Sequence, residues 1–250
     1  MGEVIGSNAN VTRIEDHVRR TLRTALARGG DIGKAAEARL SPALAAIDAA
    51  AASMKATAEA EAVAWAQVLA EDAKSDNGIH ALRDTMWNML GRVRQSAEMD
   101  QVFPGGVGVY TSGDPRQQPV LMDILRSRLL AASSPRWSDA QRAGWAAEVE
   151  ALRVPYEAAV VAHRPTEAAA SVAEVGYRAA VRTAQARLRT YKHDLQAQGL
   201  SEVHIHEIIP DASVGQAGDG AKKPNGPEPA PTSPVNGSPG TASGAGTPAG

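Results

Sequence analysis

The sequence predicts an all-α protein: an antiparallel helical bundle of about six helices over residues 1–210, followed by a disordered tail at 211–250. Upstream of Pro210, apolar residues recur every three or four positions, which is the period of an amphipathic helix. Alanine is frequent and only 4% of the chain is aromatic, a composition that suits closely packed helices rather than sheets. Residues 211–250 contain no Leu, Ile, Met, Arg or aromatic residue, so they cannot bury enough apolar surface to offset their ordering entropy.

The first helix is expected to start near Thr12 and end at Gly29 and Gly30. Thr12 and Glu15 have the spacing of a capping box, in which each side chain bonds the other residue's backbone amide. The apolar stripe that follows consists of Val11, Ile14, Val18, Leu22 and Leu26. A short helical stretch over residues 31–40 is expected next.

The longest helix is expected from Pro42 to Lys74, with Ser41 as its N-cap. Its apolar residues keep a near-heptad spacing, as in a coiled coil, except at Glu61, where Ala62 is expected to take over. They are Leu44, Ile47, Ala51, Met54, Ala58, Trp65 and Val68. Residues 75–78, Ser-Asp-Asn-Gly, predict a turn before a further helix over 79–97.

Helical period is lost over residues 99–118, so this segment is predicted to be either a crossover between subdomains or a functional loop, with a short extended piece at 107–110. A helix is then expected from Pro119 to Leu130.

A second capping box, Ser138 with Gln141, predicts the start of another helix, which Pro155 should kink. Residues 164–167 predict a break and a new cap. The last long helix should end at Gly199 in a Schellman motif, and residues 201–210 are expected to be extended.

The two halves, residues 10–104 and 116–210, have a similar order of elements, joined by the loop at 99–118. Each ends in an apolar pair followed by proline, at Pro104 and Pro210. These observations suggest an internal repeat, two duplicated helical units packed as one bundle. Because alanine-rich helices resemble one another by composition, the sequence leaves the duplication open.

Charge and cysteine content exclude several classes of function. The net charge is −2 and is spread along the chain, so nothing in it favours nucleic acid or an anionic membrane as a partner. The absence of cysteine excludes disulfides, thiol catalysis and cysteine-based zinc sites. The first residues lack the basic and apolar regions of a secretory signal, and no apolar run reaches the ~18 residues of a membrane span, so a cytoplasmic protein is expected.

The sharpest candidate for chemistry is a metal site at His204 and His206. In an extended segment these two imidazoles point to the same side, as half of a site for a divalent transition metal. Glu202 and Glu207 flank them, and His193 or Asp194 would have to supply further ligands. The competing interpretation is a polar surface segment, because the spacing matches no known metal motif.

A phosphate site at residues 105–108, Gly-Gly-Val-Gly, is a second candidate. It lacks the lysine and hydroxyl of a P-loop, so a flexible loop is the better interpretation.

A basic surface on the last long helix is a third candidate, beside the arginine-rich first helix. It consists of Arg178, Arg182, Arg187, Arg189 and Lys192. Interspersed acidic residues favour an ordinary solvated face instead.

These observations favour a non-enzymatic structural or protein-interaction bundle that needs no cofactor and binds a protein partner or itself, through a helical face or the 99–118 loop. No local signature marks a catalytic nucleophile, and the close carboxylate pairs lie on different helix faces. A helical metalloprotein using His204 and His206 is the alternative, and a weak nucleic-acid binder is the third hypothesis.

Overall fold

A computed structural model describes residues 10–94 and 96–210 of the chain. These residues form six α-helices and one 3₁₀ turn and contain no strand, which confirms the predicted all-α class. The helices are α1 (Val11–Arg28), α2 (Gly30–Met89), α3 (Ala97–Val102), α4 (Gln118–Ala131), α5 (Asp139–Ala197) and α6 (Glu202–Ile208). The predicted disordered tail at 211–250 lies outside the described residues.

Two very long antiparallel helices, α2 and α5, organise the molecule. They have 60 and 59 residues, so each is about 90 Å long at 1.5 Å per residue. Cross-links at both ends show their opposite directions: Arg39 pairs with Asp194, and Tyr156 bonds to Asp72. No helix among the described residues is long and apolar enough to cross a membrane.

The apolar core has two separate parts, one at each end of the α2–α5 pair. At the first, called the α1 end, α1 and α6 cover the start of α2 and the end of α5, and Leu40, Ile47 and Leu188 are fully buried. At the other, called the α4 end, α3 and α4 cover the opposite ends of the pair around Met86 and Leu125. Each end is therefore a small bundle of its own.

Between the two cores lies a waist, defined as residues 48–67 of α2 and 164–180 of α5, in which no residue is buried. The two helices face each other there through half-buried side chains, among them Met54 and Tyr177. Glu61 belongs to this seam, with its carboxylate 3.9 Å from His163 Nε2, whereas Ala62 is exposed. The expected replacement of Glu61 by Ala62 is wrong, because the seam accepts a carboxylate that faces an imidazole.

The predicted breaks in α2 are wrong, because the helix continues through residues 41–42 and 75–78. Pro42 removes one backbone hydrogen bond, but Leu40, Ala43 and Leu44 are buried on both sides of it, and that burial outweighs the loss. At the second site the Ser75 hydroxyl contacts Met122 Sδ at 3.0 Å. Tertiary contacts therefore hold a turn-like sequence in a helix.

Helix α5 also continues through its predicted break, with Pro155 and Pro165 both inside it. The predicted cap at residues 164–167 is wrong: the Thr166 hydroxyl donates to the carbonyl of His163 at 2.7 Å, within the helix. His163 is buried, so packing on α2 supports the helix through Pro165. The kink at Pro155 stays a prediction.

Two of the predicted helix-terminal motifs are present and one is not. The Ser138–Gln141 capping box is present at the start of α5. A Schellman motif ends α5, with the amide of Leu200 donating to the carbonyl of Leu195 at 3.2 Å. The predicted capping box of α1 is wrong, because the Asn10 side chain accepts from the amide of Thr12 and caps the helix instead.

Both predicted extended segments are helical. Residues 107–110 form the 3₁₀ turn, and residues 202–208 form α6. Ser201 caps α6, and Ile205 and Ile208 are buried three positions apart, a spacing that fits a helix rather than a strand.

Each half of the chain contains a first helix, a helix of about 60 residues and a final helix of six or seven residues. The order of elements in the two halves is therefore the same. The duplication itself stays a prediction.

Candidate functional site

The two histidines predicted to bind a metal do not face each other. On α6 they are two positions apart, so their side chains diverge by about 200° around the helix axis. His204 Nδ1 lies 2.9 Å from the Ser201 hydroxyl, and His206 Nε2 lies 3.7 Å from a Glu202 carboxylate oxygen. The extended geometry on which the metal prediction depends is therefore wrong.

The other predicted ligands are engaged in contacts with a glutamine side chain or with oppositely charged side chains. His193 Nδ1 lies 3.2 Å from Gln196 Oε1, and Asp194 pairs with Arg39 at 3.0 Å. Arg28 pairs with Glu207 and lowers the pKa of that carboxyl. Over residues 10–94 and 96–210, no group of three or more His, Cys, Asp or Glu side chains is placed to hold a metal ion.

The glycine-rich segment at residues 105–108 borders a cavity of about 500 Å³ beside α2 and α3. Arg83 lies in this cavity, stacked 4.9 Å from the Trp87 ring and paired with Asp84 at 2.6 Å. Nearby, Tyr110 is buried and donates its hydroxyl to the carbonyl of Val102. The segment predicted to be a flexible loop is therefore anchored on the α4 end.

The predicted basic surface is partly neutralised. Arg178 pairs with Glu174, and Lys192 pairs with Glu202 at 3.3 Å. Among the remaining arginines, Arg182 and Arg189 share one side of α5, being seven residues apart, while Arg187 lies on another. These residues do not form one row, and binding of nucleic acid stays a hypothesis.

A polar network at the α4 end joins α2 to α5 and to the segment before α4. The Tyr156 hydroxyl donates to Asp72 at 2.5 Å, and Gln118 donates both to Asp76 and to the carbonyl of Tyr110. Burial, aided by the hydrogen bond and charge of Asp72, raises the pKa of Tyr156, and burial also raises the pKa of Asp76. Neutral Tyr156 therefore links α5 to α2 through its hydrogen bond to Asp72. The sequence does not reveal this contact, because the two residues lie 84 positions apart.

A second polar cluster lies where the α4 end meets the waist. His163 is 1% exposed, its ring is 5.0 Å from that of Trp65, and its Nδ1 is 3.9 Å from Glu167. Arg116 covers the other ring at 4.8 Å from the Trp65 centroid and pairs with Glu167 at 2.9 Å. Through Arg116, this cluster links the segment before α4 to Trp65 of α2 and Glu167 of α5.

A regular apolar stripe runs along the solvent side of α5. Its members alternate at spacings of three and four residues, and every one is exposed. The outer stripe of α5 consists of Ala158, Val161, Pro165, Ala168, Val172, Val175 and Ala179. Val161, Val172 and Val175 are 54%, 73% and 65% exposed, so the stripe presents branched side chains as well as small ones.

Helix α2 carries a corresponding stripe with a single charge. The outer stripe of α2 consists of Ala49, Ala52, Ala56, Glu59, Val63, Ala66 and Ala70, all exposed. Each long helix thus has two heptad stripes: one faces the other long helix and one faces solvent. A heptad stripe is the pattern that docks another helix. The residues of each outer stripe could be read from the sequence, two positions away from those of the inner stripe. Only the structure shows that the inner stripe packs against the other long helix and that the outer stripe lies in solvent.

The fold and these surfaces define an all-α protein whose exposed long helices carry a second docking pattern. No protein-family model matches the chain, and comparisons with characterised proteins and with solved structures find no match.

Proposed function

We propose that this protein is a non-enzymatic structural protein that works by helix-mediated association through the outer stripes of its waist. The observation that carries the proposal is the outer stripe of α5, with seven consecutive heptad positions apolar and exposed. Exposed apolar residues are common singly, but a contiguous row of them is typical of an interaction surface.

The waist is the part of the molecule best suited to a partner. No residue of the waist is buried, and the outer stripes lie in solvent, so a further helix can approach α2 or α5 there. The waist touches the rest of the chain through side chains outside these stripes: the Tyr177 hydroxyl donates to Glu15 of α1, and Arg116 pairs with Glu167. Alanine on these faces lets helix backbones approach near the short end of the usual 8–10 Å separation. Association would bury apolar side chains along a part of α2 and α5 in which no residue is buried.

The buried and half-buried titratable side chains at the α4 end support the same proposal. Tyr156, Asp76 and His163 each contact residues from other elements and hold those elements in place. Helical metalloprotein function is less well supported, since α6 separates His204 from His206. It predicts stoichiometric zinc or iron in the purified protein, lost in the His204→Ala/His206→Ala variant.

Sedimentation velocity of the full chain tests the proposal. We expect reversible association between about 1 and 100 µM, the range of affinity for a small apolar interface. Two charged variants target the two stripes, Val172→Lys/Val175→Lys on α5 and Val63→Lys/Ala66→Lys on α2. At least one of them should abolish association while its helical circular dichroism stays unchanged.

The matched control is Val203→Lys, since Val203 is 69% exposed but lies on α6, away from the waist. It should associate like the unmodified chain. A chain that is monomeric across the whole concentration range, or association that survives both waist variants, would contradict the proposed function.

A further inference from the structure

We infer that the partner of the outer stripe of α5 is the same stripe of a second copy of this chain, in antiparallel orientation about a twofold axis at Ala168. This inference rests on the proposed function and goes further by naming the occupant and its register. Three features of the stripe carry it: the order of its side-chain sizes, the charges beside it and an otherwise unexplained glycine.

The side-chain sizes of the stripe read almost the same in both directions. From Ala158 to Ala179 the order is Ala, Val, Pro, Ala, Val, Val, Ala. Antiparallel pairing centred on Ala168 places alanine against alanine at the two ends and valine against valine one layer inside. A self-complementary order is what an interface between identical surfaces requires, because each residue meets its counterpart twice.

Charged residues on one side of the stripe favour the antiparallel orientation. Glu157, Arg164, Ser171 and Arg178 follow one another at intervals of seven residues. In the register centred on Ala168, Glu157 of each copy faces Arg178 of the other, and Arg164 faces Ser171. A parallel pair would instead turn these residues toward the small residues on the opposite side of the partner's stripe, Ala162, Ala169 and Gly176, and would leave the charges without partners across the interface.

The same charges select one antiparallel register. The apolar stripe continues toward the start of α5 through Ala147, Ala151 and Val154. The sizes of these side chains would therefore also allow a longer antiparallel pairing centred near His163. That register would bring Arg164 against Arg164 at the axis. Glu157 and Arg178 now pair with Arg153 and Glu174 on their own helix, but such exposed pairs exchange at little cost.

Gly176 supplies an independent observation. It lies inside α5, where glycine costs about 1 kcal/mol relative to alanine. A Cβ built on Gly176 meets nothing within 4 Å, so the single chain does not need a glycine there. On the side of the stripe away from the charges, Ala162, Ala169 and Gly176 follow one another at intervals of seven, and their small size permits close approach of a second helix.

The size of the interface sets the expected affinity. The stripe runs over 22 residues, about 32 Å from Ala158 to Ala179 at 1.5 Å per residue. Two helices in contact over that length bury on the order of 1,000 Å², at the lower limit for a specific complex. The dimer should therefore be weak, with a dissociation constant in the micromolar range.

Engineered cysteines test the orientation, because the chain has no cysteine of its own. Full-length Ala168→Cys should form a covalent dimer under mild oxidation, since that residue meets itself at the axis. Ala158→Cys alone should form no covalent dimer, whereas a mixture of Ala158→Cys with Ala179→Cys should form the mixed covalent dimer. Ala56→Cys, on the outer stripe of α2, is the matched control and should not cross-link.

Each other result overturns the inference. Self-cross-linking of Ala158→Cys would show a parallel pair, and cross-linking of Ala56→Cys equal to that of Ala168→Cys would place the contact on α2. In both cases the chain still associates through its waist, so the proposed function stands. A chain that does not associate at all contradicts the inference and the proposed function together.

A charge exchange tests the register separately. Arg178→Glu should weaken the dimer about tenfold or more, because two symmetric pairs change from attraction to repulsion. Adding Glu157→Arg to the same chain should restore most of the affinity. A weakening that Glu157→Arg does not reverse, or no weakening at all, would overturn the pairing of Glu157 with Arg178.

Discussion

At the scale of single residues, Gly78 of α2 lies against the side chain of Leu152 on α5. A Cβ built on Gly78 would lie 2.4 Å from Leu152 Cδ1, a distance that real side chains do not adopt. Gly144, in contrast, lies inside α5 with nothing within 4 Å of its built Cβ. The two glycines therefore have opposite roles, although both interrupt a helical sequence.

We predict that Gly144→Ala stabilises the fold by about 1 kcal/mol, the difference in helix propensity between the two residues. Gly78→Ala should stabilise less, because the end of the Leu152 side chain must move aside, and should reach the full gain in a Leu152→Ala background. Urea unfolding of the four variants measures these free energies. Equal stabilisation by Gly78→Ala and Gly144→Ala would contradict the close contact.

The tyrosines provide a second prediction at this scale. Burial raises the pKa of Tyr156, and it raises the pKa of Tyr191, whose hydroxyl donates to the carbonyl of Ile32, to about 12. A group whose pKa is higher in the folded state contributes stability that is complete below its unfolded pKa, about 10 for tyrosine, and is lost above it.

We expect the free energy of unfolding to fall between pH 10 and pH 12, by up to about 1.4 kcal/mol per pH unit for each tyrosine that ionises only on unfolding. The absorbance of tyrosinate should rise together with the loss of helical circular dichroism. Tyr191→Phe should reduce the slope. A slope unchanged by this substitution would mean that Tyr191 ionises freely in the folded protein.

At the scale of elements, the prolines inside α2 and α5 show how packing overrides local preference. Proline in a helix interior removes a hydrogen bond and costs about 3 kcal/mol relative to alanine. Pro42 is exposed, so its ring contributes little to the core. Pro119 lies at the start of α4, where the backbone amide has no helical acceptor, and it is buried.

We predict that Pro42→Ala stabilises the protein by about 1 to 3 kcal/mol, because the carbonyl of Ala38 regains a donor while no buried contact is lost. Pro119→Ala is the control and should destabilise, since it removes buried surface without restoring a hydrogen bond. Denaturant midpoints at fixed pH compare the two. Destabilisation by Pro42→Ala would contradict the prediction and would show that Pro42 contributes to packing at the α1 end.

At the scale of the whole molecule, two bundles with separate cores share the two long helices. The α1 end and the α4 end each bury their own apolar cluster, and the waist buries none. Ile208 and Ile209 at the end of α6 belong to the core of the α1 end. The core therefore reaches the last described residues.

We predict that a chain ending at Asp211 melts like the full-length protein, because the core contacts described above all lie before that residue. Differential scanning calorimetry of the two chains gives the comparison. A shortened chain lacking residues 205–211 as well should melt at a lower temperature, since it loses the buried Ile205 and Ile208. A large loss of stability on removing 212–250 alone would mean that the domain continues into the tail.

The helical class, the Ser138 capping box and the Schellman motif after α5 could be predicted from sequence because each depends on neighbouring residues and on a regular apolar period. The breaks expected at residues 75–78 and 164–167 could not be predicted correctly, since Ser75 and His163 are held by partners more than forty residues away. The extended conformation expected for residues 201–210 is wrong for a similar reason: burial of Ile205 and Ile208 favours a helix where alternation suggested a strand.

The sequence by itself determined that this chain forms amphipathic helices, and it carries both heptad stripes of α5 in its residue order. Only the tertiary structure decided which stripe is covered and which is left in solvent, because the two are distinguished by contacts with α2 and not by composition. For the same reason the tertiary structure alone decided that α2 and α5 are continuous: burial on both sides of a proline or a turn-like segment outweighs a local cost of a few kcal/mol. The proposed interface depends on the heptad pattern of α5, which the sequence contains, and on the exposure of its outer stripe, which the tertiary structure determines.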